Sequence, residues 1–269
     1  MDTTVILAGV VEGITEFLPI SSTGHLLLVE ELVQQRRSDL FNIVIQSGAV
    51  LAVLPLFRAR LAQFVFRWRE PETLRYISRI ALAFLITALG GIGLEKGGFK
   101  LPETALPIAL ALAIGGAGFL VMEAWLARRG TSAGEDVTWR IAVLVGLAQL
   151  LAAVFPGTSR SGATILFALA LGMSRPAATE FSFLVGIPTM LAAGGWKILS
   201  AWRHAGPGTL PEDWQAVGLG FVVSALVSFV FVKWLLTYIR THTFAVFGWY
   251  RIVLATLIAV LLAAGILRF

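Results

Sequence analysis

The chain has 269 residues, 57% of them hydrophobic and 14% charged, with a net charge of +5 and a mean hydropathy of +0.84. Such a composition excludes an ordinary water-soluble domain and reads as a polytopic membrane protein. The basic residues lie in loops between apolar segments, as membrane topology requires, so the charge does not point to nucleic acid. There is no cysteine, which excludes disulfides and thiolate chemistry and leaves Ser, Thr, His, Glu, Asp and Arg to carry any reaction.

Residues 4–20 are apolar but contain Glu12 and Glu16 and reach Pro19 near their end. The first five residues carry no basic group, and no small-residue cleavage site follows, so this stretch is expected to belong to the fold rather than to a signal peptide. After Ser21-Ser22-Thr23-Gly24-His25 comes a second short apolar piece, 26–33. Neither piece reaches across a hydrocarbon core of about 30 Å at about 1.5 Å per residue. Together they predict a re-entrant helical hairpin over about 4–33, which is tolerated at membrane depth where it is buried in protein or lines a cavity. Full spans follow at 40–57, 77–94 and 105–126, with arginines 58, 60, 67, 69 and 75 assigned to an aqueous loop after the first. Residues 141–154, a polar loop at 156–164 and a short piece to 171 predict a second hairpin, and spans at 178–201, 216–239 and 246–267 complete the chain. The expectation is an all-α polytopic membrane protein in one domain, 1–269, with six transmembrane helices and two re-entrant hairpins.

The two halves, 1–130 and 131–269, read as a repeat. Glu12 stands seven positions before Pro19, and Gln149 seven before Pro156. Beyond the prolines, Ser21-Ser22 fall opposite Thr158-Ser159, and Gly24 falls opposite Gly162 if Arg160 is taken as one extra residue. A hairpin plus three spans is an odd number of crossings, so the second unit is inverted and the two hairpins approach each other near the midplane. The loops after the first, third and fifth spans hold the larger share of arginine, among them Arg58, Arg60, Arg128, Arg140 and Arg240, against Arg36, Arg37, Lys96, Lys100, Arg203 and Arg268 opposite. The first set is expected on the cytoplasmic side.

Arg160 is a permanent cation inside apolar sequence, where insertion costs about 2.5 to 3.5 kcal/mol, so an anion, a cavity or the protein interior must face it. Hydroxyls at Thr158, Ser159, Ser161 and Thr164, glycines at 157 and 162, and a helix beginning beside the arginine fork form a phosphate-binding pattern. Helix capping by the hydroxyls and snorkelling by the arginine is the plainer alternative. Glu12 and Glu16, at i and i+4, share a helical face, which suits Mg²⁺ bound together with phosphate oxygens, or a carboxylate that orients His25. His25 lies just after Ser21, Ser22 and Thr23, which offers a nucleophile and a base close together. Gln46 and Glu180 are polar groups inside spans that line the cavity or bond across helices.

Val11-Glu12-Gly13-Ile14-Thr15-Glu16-Phe17-Leu18-Pro19-Ile20-Ser21-Ser22-Thr23-Gly24-His25 resembles the first signature of the undecaprenyl-diphosphate phosphatase family of the bacitracin-resistance type. Pro156-Gly157-Thr158-Ser159-Arg160-Ser161-Gly162-Ala163-Thr164 resembles its second, and the likeness extends over nearly the whole chain. The resemblance implies hydrolysis of a polyprenyl diphosphate lipid to the monophosphate and phosphate, in the bacterial cytoplasmic (inner) membrane. It implies catalytic roles for Glu12, Glu16, Ser22, His25 and Arg160, and substrate contacts from Ser21, Thr23, Gln149, Ser159, Ser161, Gly162 and Thr164. It also implies a divalent metal, Mg²⁺ or Ca²⁺, at Glu12 and Glu16. Whether Ser22, His25 or water is the nucleophile stays open, as does oligomeric state, a homodimer included. The rival from another class is a lipid-phosphate transporter, since inverted repeats with broken helices are also transporter architecture.

Overall fold

A computed structural model describes residues 3–99, 104–129, 134–204 and 213–267. Among the described residues the regular structure is helical, apart from one isolated parallel bridge between Gly134 and Met173. Lys100, Glu103, Arg268 and most of the loop before Trp214 fall outside the described residues.

Helix α1 (Thr3–Thr15) stops short of Pro19, and α2 (Ser22–Leu32) returns from an irregular tip. Helix α3 (Asp39–Val53) is capped by Ser38, whose side chain accepts the Phe41 amide. Pro55 then tightens the backbone into a 3-10 turn, Leu54–Phe57, from which α4 (Arg58–Phe66) continues. The aqueous loop expected at Arg58 and Arg60 is therefore partly helical. No glycine or proline interrupts 58–66, and Arg60 is held against the second half of the chain by its bond to Glu180 (2.7 Å). Helix α5 (Pro71–Lys96) opens on proline, whose missing amide hydrogen costs nothing in a first turn. Helix α6 (Ala105–Arg129) ends the first half. Helices α7 (Trp139–Val154), α8 (Arg160–Ala170), α9 (Arg175–His204), α10 (Trp214–Tyr238) and α11 (Ala245–Ala263) form the second. Among the described residues, six segments are long and apolar enough to cross a membrane: α3 with α4, then α5, α6, α9, α10 and α11. Helices α1, α7 and α8 are apolar but shorter.

Helix packing exchanges partners between the halves. Helix α1 packs on α10 as α7 packs on α5, α3 meets α10 as α9 meets α5, and α6 with α11 and α3 with α9 are self-matched pairs. The closest approaches repeat as well. A Cβ on Gly9 would lie 2.8 Å from the Gly220 carbonyl oxygen, and one on Gly146 would lie 2.9 Å from that of Ala83. Both helix crossings thus depend on a residue without a side chain at the point of contact.

The two helix starts correct the expected register. Ser21 (φ 76°) and Ser159 (φ 67°) both cap their helices from the left-handed region, and each side chain accepts the amide three residues on, from Gly24 and Gly162. These caps match Ser22 to Arg160, not to Ser159. The extra residue of the second loop lies before the cap, in the Gly157-Thr158 stretch, where Gly157 takes φ 93°.

Candidate active site

The tips of the two short-helix pairs meet around Glu16. This carboxylate accepts a hydrogen bond from Ser22 Oγ at Oε2 (2.6 Å) and one from Arg160 Nη2 at Oε1 (3.2 Å). One side chain thereby joins the cap region of α2 to the first residue of α8. The Glu16 and Arg160 side chains are 6% and 14% exposed, so the pair is not washed out by solvent.

Arg160 is held loosely for a buried cation. Its second terminal nitrogen reaches the Ser182 carbonyl only at 3.5 Å, its Nε has no hydrogen-bond partner among the described residues, and its guanidinium carbon lies 5.8 Å from the Phe17 ring centre. A Cβ at Gly186 of α9 would overlap the guanidinium, so the glycine makes the space that Arg160 fills. Donor capacity is left for an anion.

A cavity of about 250 Å³ lies in front of this pair. Glu16, Ser21, Ser22, Thr23, Gln149, Ser159 and Arg160 line it, as the sequence led one to expect. Gln46 lines it too, and so does Thr87, which sequence reasoning missed. Thr87 accepts from Gln149 Nε2 (2.8 Å) and fixes the amide at the cavity wall. Its only sequence signal is a hydroxyl within an apolar span. Pro188 interrupts α9 one residue before Thr189, Met190 and Ala193 join the lining. Both 11-residue helices α2 and α8 begin at this cavity, so two positive helix ends converge on it.

Other expected residues stand behind the cavity. Thr164 bonds Ser182 Oγ (2.5 Å) and donates to the Arg160 and Ser161 carbonyls, while Ser161 Oγ lies 3.2 Å from the Leu18 carbonyl. Both are fully buried and tie α8 to α9 and to the first loop; neither lines the cavity. Gly162 serves the Ser159 cap. Glu12 is fully buried, and neither of its carboxylate oxygens has a hydrogen-bond partner among the described residues.

His25 turns away from Ser22. Its Nδ1 bonds the Ser21 carbonyl (2.6 Å), its Nε2 bonds the Tyr250 hydroxyl (2.7 Å), and it lines a different, apolar cleft of about 400 Å³ beside α10 and α11. The Ser22 hydroxyl donates to Glu16 instead. The expected serine-histidine pairing is not formed, because a side chain at i+3 on the new helix points outward while the cap bends Ser22 back towards α1.

The sequence model of the family described as bacitracin resistance protein BacA matches residues 5–257. The chain is 52% identical over 262 residues to a protein of Rhizobium etli named undecaprenyl-diphosphatase, the match covering 97% of both chains. It is 48% identical over 261 residues to one of the same name from Xanthomonas oryzae pv. oryzae, again covering 97% of each.

Proposed function

Since the chain belongs to the bacitracin resistance protein BacA family, we propose that it is an integral-membrane undecaprenyl-diphosphate phosphatase, converting the lipid diphosphate to the monophosphate and inorganic phosphate. Recycling of this lipid carrier for cell-wall synthesis, and resistance to bacitracin, follow from that activity. The observation that carries the reading is Glu16, bonded at once to a hydroxyl nucleophile and to a loosely held arginine at the edge of a polar cavity.

The diphosphate enters with its charged end against the starts of α2 and α8, and competes with Glu16 for Arg160. Ser22 Oγ attacks the terminal phosphorus while Glu16 accepts its proton, and the bridging P–O bond breaks with the oxygen leaving on the lipid monophosphate. Arg160 and the amides at the two helix starts stabilise the charge that builds up. Water then cleaves the phosphoserine, releasing phosphate and restoring the Ser22 proton. His25 acts as a positioning residue: its bond to the Ser21 carbonyl holds the left-handed cap turn in which Ser22 is presented.

Divalent metal fits the donors. The two Glu12 oxygens, without a hydrogen-bond partner among the described residues, belong to a side chain one helical turn from Glu16, and hard cations take carboxylate oxygens together with substrate phosphate oxygens. Glu12 and Glu16 would hold such an ion, Mg²⁺ or Ca²⁺, which would supply neutralisation of the diphosphate charge.

The exchange of helix partners and the matched caps support an inverted repeat with two re-entrant hairpins. In that arrangement the cavity, lined by Gln46 of α3, Thr87 of α5 and Ala193 of α9, lies in the part of those helices away from the arginine-rich loops, which assigns it to the outer face of the bacterial inner membrane. Phe183 packs against both Phe17 and Phe57, with ring centres 4.8 and 6.4 Å apart. That packing favours a one-sided enzyme over a transporter.

The test is phosphate release from undecaprenyl diphosphate by the purified protein in detergent, with and without Mg²⁺, beside Arg160→Ala. Release by the wild type that collapses in a folded variant is the expected result. Binding of the lipid without release under any metal condition would refute the phosphatase reading in favour of transport.

A further inference from the structure

Arg251 of α11 is 0% exposed and is among the largest fully buried side chains of the protein. Arginine at such depth is expected to meet a carboxylate. Here no carboxylate pairs with it among the described residues, and its partners are backbone carbonyls from three separate segments. Nη1 donates to Pro19 (3.2 Å) in the first loop. Nη2 lies 3.0 Å from the Gly157 and Thr158 carbonyls in the second loop and 3.1 Å from that of Ala111, while Nε donates to Leu112 (3.3 Å).

The surrounding sequence is cut to fit this side chain. A Cβ at Gly115 of α6 would overlap the guanidinium, and one at Gly116 would lie 2.7 Å from the Gly248 carbonyl oxygen of α11. The two helices therefore close to backbone contact, and the arginine passes between them to the loop tips. Pro19 stands two residues before the Ser21 cap, and Gly157 and Thr158 stand immediately before the Ser159 cap. A carbonyl at each tip is thus fixed to one rigid fork, directly behind the turns that present Ser22 and Arg160.

We propose that Arg251 is a positioning residue for the hydrolysis: it clamps the tips of both loops at one point, so that Ser22 and Arg160 converge on Glu16 and the incoming phosphate. It does not line the cavity, so it acts through the loops and not by touching substrate. Lysine replaces it only in part, because a single ammonium has three donors and no planar fork to span three segments. The inference rests on the phosphatase reading for its kinetic arm only.

The absence of cysteine allows a test that does not depend on turnover. Leu32→Cys and Leu171→Cys place spin labels at exposed positions, 57% and 39% accessible, at the far ends of the two short helices, Leu32 being the last residue of α2 and Leu171 the residue after α8. The interlabel distance distribution is measured by electron–electron dipolar spectroscopy, beside kcat for phosphate release, in the Arg251→Gln and Arg251→Lys backgrounds. Each preparation is first checked for native helix content and elution volume. The expected result is a broadened or shifted distribution with kcat lowered roughly a hundredfold in the glutamine variant, a misplacement of about 1 Å being sufficient for such a loss. The lysine variant should fall between it and wild type, and it carries the same two readouts if the glutamine variant does not fold. A folded variant with the wild-type distribution overturns the clamp, whether its activity is kept or lost. Failure of the parent protein to release phosphate would instead refute the phosphatase reading and leave the distance measurement to decide the clamp.

Discussion

Gly186→Ala separates the geometry of Arg160 from its mere presence. The added methyl would stand 2.8 Å from the guanidinium carbon and 2.9 Å from Nη2, closer still to Nη1. Unstrained contact needs about 3.5 Å, so Nη1, the nearest atom, must withdraw by about 1.3 Å and the guanidinium carbon by about 0.7 Å. The obstructed atoms are the far end of a flexible side chain, so the fold can accommodate the change. The 3.2 Å bond to Glu16 and the approach to phosphate cannot. A displacement of this size is expected to lower kcat about 10- to 100-fold, about 1.4 to 2.7 kcal/mol in the barrier, with little change in thermal unfolding. Gly195→Ala, also on α9, is the control, because a Cβ there meets nothing within 4 Å. Helix propensity makes that change neutral or stabilising by about 0.5 to 1 kcal/mol. The assay is steady-state phosphate release beside thermal unfolding in the same detergent. Wild-type kcat in Gly186→Ala, or an equal loss in Gly195→Ala, would refute the assignment of Arg160 to a fixed phosphate-facing pose.

The Glu16–Ser22 bond predicts non-additivity: Glu16→Gln and Ser22→Ala should each lower single-turnover phosphate release by about 10² to 10⁴, and the double variant should lose little more than either single one. Additive losses would show that the two act in separate steps. His25→Asn should keep more activity than His25→Ala, since an asparagine amide can donate to the Ser21 carbonyl as Nδ1 does; equal loss in both, measured as kcat, would return histidine to a proton-transfer role.

Span positions and the polar residues within them are written in the chain, because hydrocarbon admits only long apolar helices and penalises charge. That constraint acts residue by residue, so the long apolar helices found among the described residues, and Glu16, Ser22 and Arg160 as polar groups that need partners, were visible without coordinates. Helical continuation through Arg58 was not, since it depends on Arg60 meeting Glu180 120 positions away. The register of the second loop was misread by one residue for a related reason. Sequence matching aligned letters, whereas the caps align the hydroxyls of Ser21 and Ser159 with the amides they accept.

The chain by itself determined which residue types stand at membrane depth, and hence the class of chemistry. Only the tertiary structure decided which of those residues face one another. Ser22 and His25 are near neighbours in sequence but point into different cavities, while Glu16 and Arg160, 144 positions apart, share a hydrogen bond. Arg251 is a cation inside the 246–267 span, as Arg160 is inside the second loop, but no side-chain pattern announced what it meets, because its partners are backbone carbonyls, which every residue carries.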